Sequence, residues 1–334
     1  MTIRRVLLGV AVAGMAFVPA SPAYAVCAIN ALGLSVTPSS ASTGTYTFPT
    51  APTAQTISIT VSGTYFSLLG GTCTGSISFH RASLPASMAI TGGGSATLPY
   101  TIQTAPTGGN TLLYTGGGTP GAANRLTFAF TASVLGANTA FTQPLTAYAL
   151  AIPGTLQQAG SYSDSLTLDV FNETVPGVPT KLIGPAFTMN GTVAKVCTIG
   201  GVATPAADTA TIPVSSGVVN TAPINKSYAN AACNTPSNLQ LTSLNGAVKT
   251  SASVVSGYTN LIDYTATATF SGANASLDTS TIATATGPES GTSSPTTGTT
   301  PSDTLLVTIT PQTNALKLLA GTYQDTLRIT ITPQ

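Results

Sequence analysis

His80 is the single histidine of this chain, and Glu173 and Glu289 are its only glutamates. Proton-transfer or hydrolytic chemistry needs a nucleophile beside a base, or two carboxylates facing one cleft, and such an inventory offers few combinations. The sequence contains no G-x-S-x-G, S-x-x-K, H-E-x-x-H or phosphate-cradling glycine loop. Thr192-Val193-Ala194-Lys195 approaches a Thr/Lys dyad, but its alternation predicts a strand, which does not set both groups on one face. Gly92-Gly93-Gly94 and Gly116-Gly117-Gly118 lead into neither a helix start nor a lysine and read as loops. The remaining reactive groups are Cys27, Cys73, Cys197 and Cys233. With tens of residues between them and no paired C-x-x-C spacing, bridges suit them better than a metal. The residues imply no enzyme and no cofactor. A secreted hydrolase would require an Asp or Glu pair brought into one cleft.

The amino terminus decides whether those thiols can pair. Arg4 and Arg5 precede an apolar run from Val6 to Val18 and a small-x-small site at Ala23-Tyr24-Ala25, the pattern of a secretory signal peptide over residues 1–25. The apolar run is too short to span a bilayer. Cys27 lacks the preceding Leu-small-small triplet that lipidation would want. Export places the chain in an oxidising compartment, where thiols bridge.

Positioning elements repeat. Ala159-Gly160-Ser161-Tyr162-Ser163-Asp164, followed by an alternating run to Phe171, returns as Ala320-Gly321-Thr322-Tyr323-Gln324-Asp325 and a second alternating run. Each copy carries two cysteines, so the duplication has the size of a domain. Its symmetry favours Cys27 with Cys73 and Cys197 with Cys233 over the other two connectivities. Period-two runs such as Thr56–Val61, Leu126–Phe130, Leu239–Thr242 and Leu305–Ile309, punctuated by Gly, Pro and Asn, predict antiparallel strands. The fold class expected is all-β, with two immunoglobulin-like sandwiches. The A-G-x-Y turns resemble a tyrosine corner, giving Tyr162, Tyr323, Asp164 and Asp325 structural roles. Thr286–Pro301 is low in complexity and reads as a mobile loop. Only 6% of residues are charged, which leaves little with which to hold a nucleic acid.

Taken together, the leader, an early cysteine, a second cysteine ending an early strand, the L-x-L-T-S-L-N-G segment Leu239–Gly246 and the terminal A-G-T-Y-x-D-T-L strand resemble the spore coat protein U domain. That domain builds subunits of archaic, Csu-type chaperone–usher pili. Two copies in one chain are similar to a pilus tip adhesin, with an amino-terminal adhesin domain at 26–185, a donor-like strand at 186–196 and a pilin domain at 197–334. The resemblance implies a periplasmic chaperone, an outer-membrane usher and a neighbouring pilin joined by donor-strand complementation. It also implies passage through the periplasm to an extracellular pilus tip, attachment to an abiotic or host surface, and biofilm formation. A structural coat or surface-layer protein would share the domain without chaperone or usher.

A pilin joining a fibre needs an extended apolar segment ahead of its first strand, and only Val26 separates the expected cleavage site from Cys27. The second cysteine pair is preceded by Ala186–Lys195, in which Phe187, Met189 and Val193 share one face. This segment is expected to pair with Ser165–Phe171 and close the first sandwich, an ordinary linker being the alternative. By resemblance, the second sandwich lacks its last strand and leaves an acceptor groove beside Leu327, Ile329 and Ile331. Three apolar segments, the first bounded by glycines and the other two beside turn residues, are candidates for the hydrophobic tip loops that the resemblance implies: Tyr65, Phe66, Leu68 and Leu69; Leu112, Leu113 and Tyr114; and Leu135 and Phe141.

Overall fold

The computed structural model describes residues 27–39, 41–48, 50–153, 156–173, 179–202, 205–281 and 289–334, with Leu69, Gly136, Ala137 and Glu289 described by their backbones only. The leader expected at 1–25 lies outside the described residues. Strands dominate throughout, as the alternation requires.

Residues 27–193 form one sheet of eleven strands: β1 Cys27–Ile29, β2 Ser35–Pro38, β3 Ala41–Tyr46, β4 Gln55–His80, β5 Ser87–Ile90, β6 Thr97–Gln103, β7 Leu113–Tyr114, β8 Leu126–Ala151, β9 Gly160–Asn172, β10 Thr180–Ile183 and β11 Ala186–Val193. One hydrogen-bonded ladder runs through all of it, curled over a common core as the expected immunoglobulin-like sandwich requires. β4 and β8 are each 26 residues long and pair antiparallel from Gln55↔Ala149 to Ile77↔Leu126. The far end of β4 then pairs with β9, and β8 returns through β6 and β5 to β9, so the ladder closes on itself around a single core. Ile57, Ile59, Ile77, Phe79, Met88, Leu98 and Ile102 fill that core.

β11 completes this body. It pairs antiparallel with β9 and parallel with β3, and its alternation buries Phe187, Met189 and Val193. Gly191 occupies the same face where room runs out: a Cβ there would meet Thr43 Oγ1 at 2.6 Å and Met88 Cε at 2.8 Å. The register differs from the expected one. β11 lies against Gly160–Thr167, not Ser165–Phe171, because the short strand β10 already covers Val170–Asn172.

The second body carries a five-stranded sheet in the order β12-β15-β24-β20-β21. In chain order its elements are β12 Cys197–Thr198, β13 Val214–Ser215, β14 Val218–Val219, β15 Ile224–Cys233, β16 Ser237–Ser243, β17 Val248–Lys249, β18 Tyr258–Thr259, β19 Leu261–Ile262, β20 Tyr264–Phe270, β21 Ala273–Asp278, β22 Glu289–Ser290, β23 Ser294–Pro295, β24 Thr300–Pro311, β25 Lys317–Leu318 and β26 Leu327–Pro333. β16, with β26 on one side and β22 and β23 on the other, shares a core with that sheet: Leu239 and Leu241 pack with Phe270, Leu277, Leu305 and Val307. The expected mobile loop at 286–301 is corrected from 289 onward. β22 and β23 pair with β16, and the buried Thr296 accepts from Ser237 N and donates its own N–H to Ser237 O.

The repeat motif has the same construction in both bodies. Tyr162 donates to Gln158 O at 2.6 Å, and Tyr323 to Leu319 O at 3.1 Å, each four residues back, as a tyrosine corner does. Asp164 accepts from Tyr100 at 2.8 Å and pairs with Arg81; Asp325 accepts from Tyr264 at 2.6 Å, Ser243 Oγ and Asn245 N. Burial, reinforced by the neighbouring carboxylate, holds the phenols of Tyr100 and Tyr264 above the ordinary tyrosine range, so both remain donors. Asp164→Ala strands a buried phenol and a largely buried guanidinium, and should cost about 3 kcal/mol in denaturant unfolding.

Both bridges join cysteines of the same copy, Cys27 with Cys73 at a Cα separation of 5.4 Å and Cys197 with Cys233 at 4.2 Å. Non-reducing peptide mapping should recover these two pairs alone. A Cys73–Cys197 peptide would contradict the arrangement.

Candidate functional site

Two places stand apart from the packing, and both were sought in the sequence. The first lies along the middle of the long β4–β8 ladder. β1 pairs with β4 there, Cys27 opposite Ser67 and Ile29 opposite Tyr65, and Asn30 Nδ2 reaches Asn138 Oδ1 at 3.4 Å, which sets the Leu32 turn beside residue 138. Phe66 is 44% exposed, Leu68 46%, Val134 68%, Leu135 74% and Leu32 82%. Leu135 has a φ of 52°. A bulky side chain pays about 1–2 kcal/mol for that left-handed conformation, and here the side chain projects into solvent, so packing offers no return. Charge is absent from this surface: residues 26–80 and 126–151 contain no Asp, Glu, Lys or Arg.

Beneath the exposed side chains lies a stiff floor. Tyr65 packs on Phe130 at 5.1 Å, Phe130 stacks on Phe141 at 4.5 Å, and Ser133 N donates to the Tyr65 hydroxyl at 3.0 Å. Tyr65 and Phe141, expected at the surface, are therefore core residues. The same correction applies to Leu112, Leu113 and Tyr114. β7 lies parallel to the end of β4, and all three are buried there. The Tyr114 hydroxyl donates to the fully buried Asp169, and Lys181 Nζ pairs with the same carboxylate at 2.7 Å. Phe66, Leu68 and Leu135 are exposed as expected. The side chain of Leu69 lies outside the described residues. Leu32 was missed: its signal was an apolar residue between Ala31 and Gly33 immediately after the first cysteine strand. Val134, next to Leu135 in the sequence, was not singled out.

The second place is the edge of β26. In the first body β9 is bonded along both sides, by β5 and β4 on one and by β11 and β10 on the other, and Leu166, Leu168 and Val170 are buried. The repeat sets Leu327, Ile329 and Ile331 at the matching positions of β26. These are only half-buried, and among the described residues β26 pairs with β16 alone. An edge of this kind, backbone groups beside half-covered apolar side chains, is what strand addition requires.

Chemistry has few footholds elsewhere. A cavity of about 170 Å³ is lined by His80, Tyr114, Gly116–Gly118, Phe171 and Lys181. His80 Nδ1 lies 3.5 Å from Thr167 Oγ1, the limit of a hydrogen bond. Among the described residues no group of three or more His, Cys, Asp or Glu could hold a metal, and no helix is long and apolar enough to cross a membrane.

No protein-family model matches the chain, and no curated protein matches it in sequence. Among solved structures it is similar to the CsuC–CsuE chaperone–tip adhesion subunit pre-assembly complex of archaic chaperone-usher Csu pili of Acinetobacter baumannii, at 15% identity and a TM-score of 0.41, covering 92% of this chain and 99% of that one. It is similar to the CupB6 tip adhesin of Pseudomonas aeruginosa at 12% identity and a TM-score of 0.34, covering 90% and 93%. The CooA pilin subunit of enterotoxigenic Escherichia coli matches 48% of this chain and 99% of its own at 15% identity and a TM-score of 0.29. At such scores the functional reading rests on the chain's own residues.

Proposed function

We propose that the chain is the tip adhesin of a chaperone–usher pilus. It is exported by its leader, divided into an adhesin domain at 26–185, a donor-like strand at 186–196 and a pilin domain at 197–334, and attaches to surfaces through uncharged apolar turns. The observation that carries this reading is the contrast between matching strands of the two copies. β9 is covered by β11, which the chain supplies itself, whereas β26 presents the same three apolar positions with nothing among the described residues along its outer side. A subunit whose first groove is filled by its own strand and whose second stands open is suited to accept a strand at β26, the role that the first member of a fibre needs.

The exposed Leu32, Phe66, Leu68, Val134 and Leu135 support attachment by hydrophobic contact, since the surface around them has no charge with which to attract a ligand. Neither open feature needs catalysis. The reading implies three partners: a periplasmic chaperone that covers β26, an usher, and the next pilin.

Expression in a periplasm with the chaperone of its own assembly system should give a one-to-one complex, and antibodies to residues 26–185 should label pilus ends. Labelling along pilus shafts, or a chain that accumulates folded with no chaperone and reaches a coat or surface layer, would sink the proposal.

A further inference from the structure

The chain contains one internal instance of a strand-accepting body meeting the body attached to its donated strand. β11 runs along β9 until Val193 lies opposite Gly160, and there the chain passes into the second body. At that pole Ala159 N donates to Asn234 O at 2.8 Å, while the Asn234 side chain binds Val196 N and Ala194 O, both at 2.8 Å. Asn234 adjoins the Cys197–Cys233 bridge. The disulfide-bearing end of the second body thus sits on the pole of the first where β9 begins.

Ala320-Gly321 is the repeat counterpart of Ala159-Gly160, so the corresponding pole of the second body lies where the chain enters β26. Tyr323 ties that pole together, donating to Thr259 O at 3.0 Å as well as to Leu319 O. The parallel bridge of β18 with β25, and Leu318 N donating to Gly217 O, bring the β13–β14 hairpin beside it. Val219, Ile262 and Leu318 form a small apolar cluster here, separate from the main core. Outside it, Val214, Val218, Val254, Val255, Tyr258 and Leu316 are all exposed, from 43% to 67%. A satellite core with a second layer of apolar side chains in solvent is unusual for a free pole.

We infer that this pole is a docking surface for the disulfide-bearing end of the next subunit, the one whose strand fills the β26 edge. The occupant is identified by the internal instance. A strand laid antiparallel on β26 ends at this pole, and the body attached to it must emerge over the six apolar residues. The inference rests on the proposed acceptor role of β26 and adds a body-to-body contact to it. Strand insertion supplies the joint; the apolar pole fixes its angle.

The test places a photo-reactive benzophenone side chain at position 316 or 218 of the full chain, with position 306 as control. Leu306 is 50% exposed on the outer face of β24, away from the pole. The protein is expressed with the chaperone, usher and subunits of its own assembly system, and purified pili are irradiated. Positions 316 and 218 should each give a product of this chain with one adjacent subunit, cross-linked near that subunit's first disulfide, and position 306 should give none. Pili that contain the chain but yield no such product, or yield only pairs of this chain, overturn the docking surface and leave the tip reading standing. Pili that never contain the chain overturn the tip reading and this inference together.

Discussion

Purified without a strand along Leu327, Ile329 and Ile331, the chain should self-associate. A copy of residues 174–193 joined after Gln334 should make it monomeric and raise the melting temperature of the second body on the order of 10 °C. Asn172 and Glu173 of the first copy match Pro333 and Gln334 of the second, so the added segment repeats the connection by which β11 reaches β9. Three half-buried side chains become fully buried, each gaining about 1 kcal/mol. At about 2–4 °C per kcal/mol for a body of this size, the three together set the shift. Burial of the donated Phe, Met and Val is set against the entropy of ordering the strand, and is not counted. A copy in which the position of Met189 carries Asp should fail, because it drives a charge into the core. The natural chain remaining a monomer, with no change in melting after the addition, would refute an open groove.

Attachment should fall to a small fraction of normal when Phe66, Leu68, Val134 and Leu135 are replaced by Ser, at unchanged pilus number. Each side chain buried against a hydrophobic surface contributes roughly 1.5–3 kcal/mol, and many fibres on one cell multiply the loss through avidity. All four are exposed, and none contributes to the buried core, so assembly should proceed normally. Adhesion to hydrophobic plastic is measured beside pilus counts by electron microscopy. Persistent attachment removes these residues from the adhesive surface. Tyr65→Ser provides the opposite control: it breaks the aromatic floor with Phe130 and should reduce folded protein, and pili with it. High salt should leave attachment of the natural chain intact, since residues 26–80 and 126–151 carry no formal charge to be screened.

Much of the architecture was legible because it is local. Alternation in Phe187, Met189 and Val193 assigns three side chains to one face of a strand wherever that strand goes, and the structure buries all three. The A-G-x-Y-x-D motif specifies a turn whose phenol bonds four residues back, and it does so twice. Repeat symmetry pointed to the two bridges, since each copy has its own pair of thiols. The all-β class comes from the same period of two.

Sequence alone could not supply which face of a strand meets the core and which neighbour it meets. Tyr65 and Phe66 must point to opposite sides, but only the stack of Phe130 and Phe141 beneath β4 decides that Tyr65 is inside and Phe66 outside. Leu112–Tyr114 read as a surface loop until β7 is seen pairing with Phe79 and His80, more than thirty residues away. The register of β11 on β9 was displaced because β10 had taken the end of that strand, a competition between segments that no local pattern records. Residue type and spacing determined the strands and the corners, which depend on neighbours in the chain, and the repeat favoured the cysteine pairing, which joins residues 46 and 36 apart. Which strands lie beside β26 among the described residues, and which apolar side chains of the β4–β8 ladder face solvent, depend on distant segments, and the tertiary structure decides both.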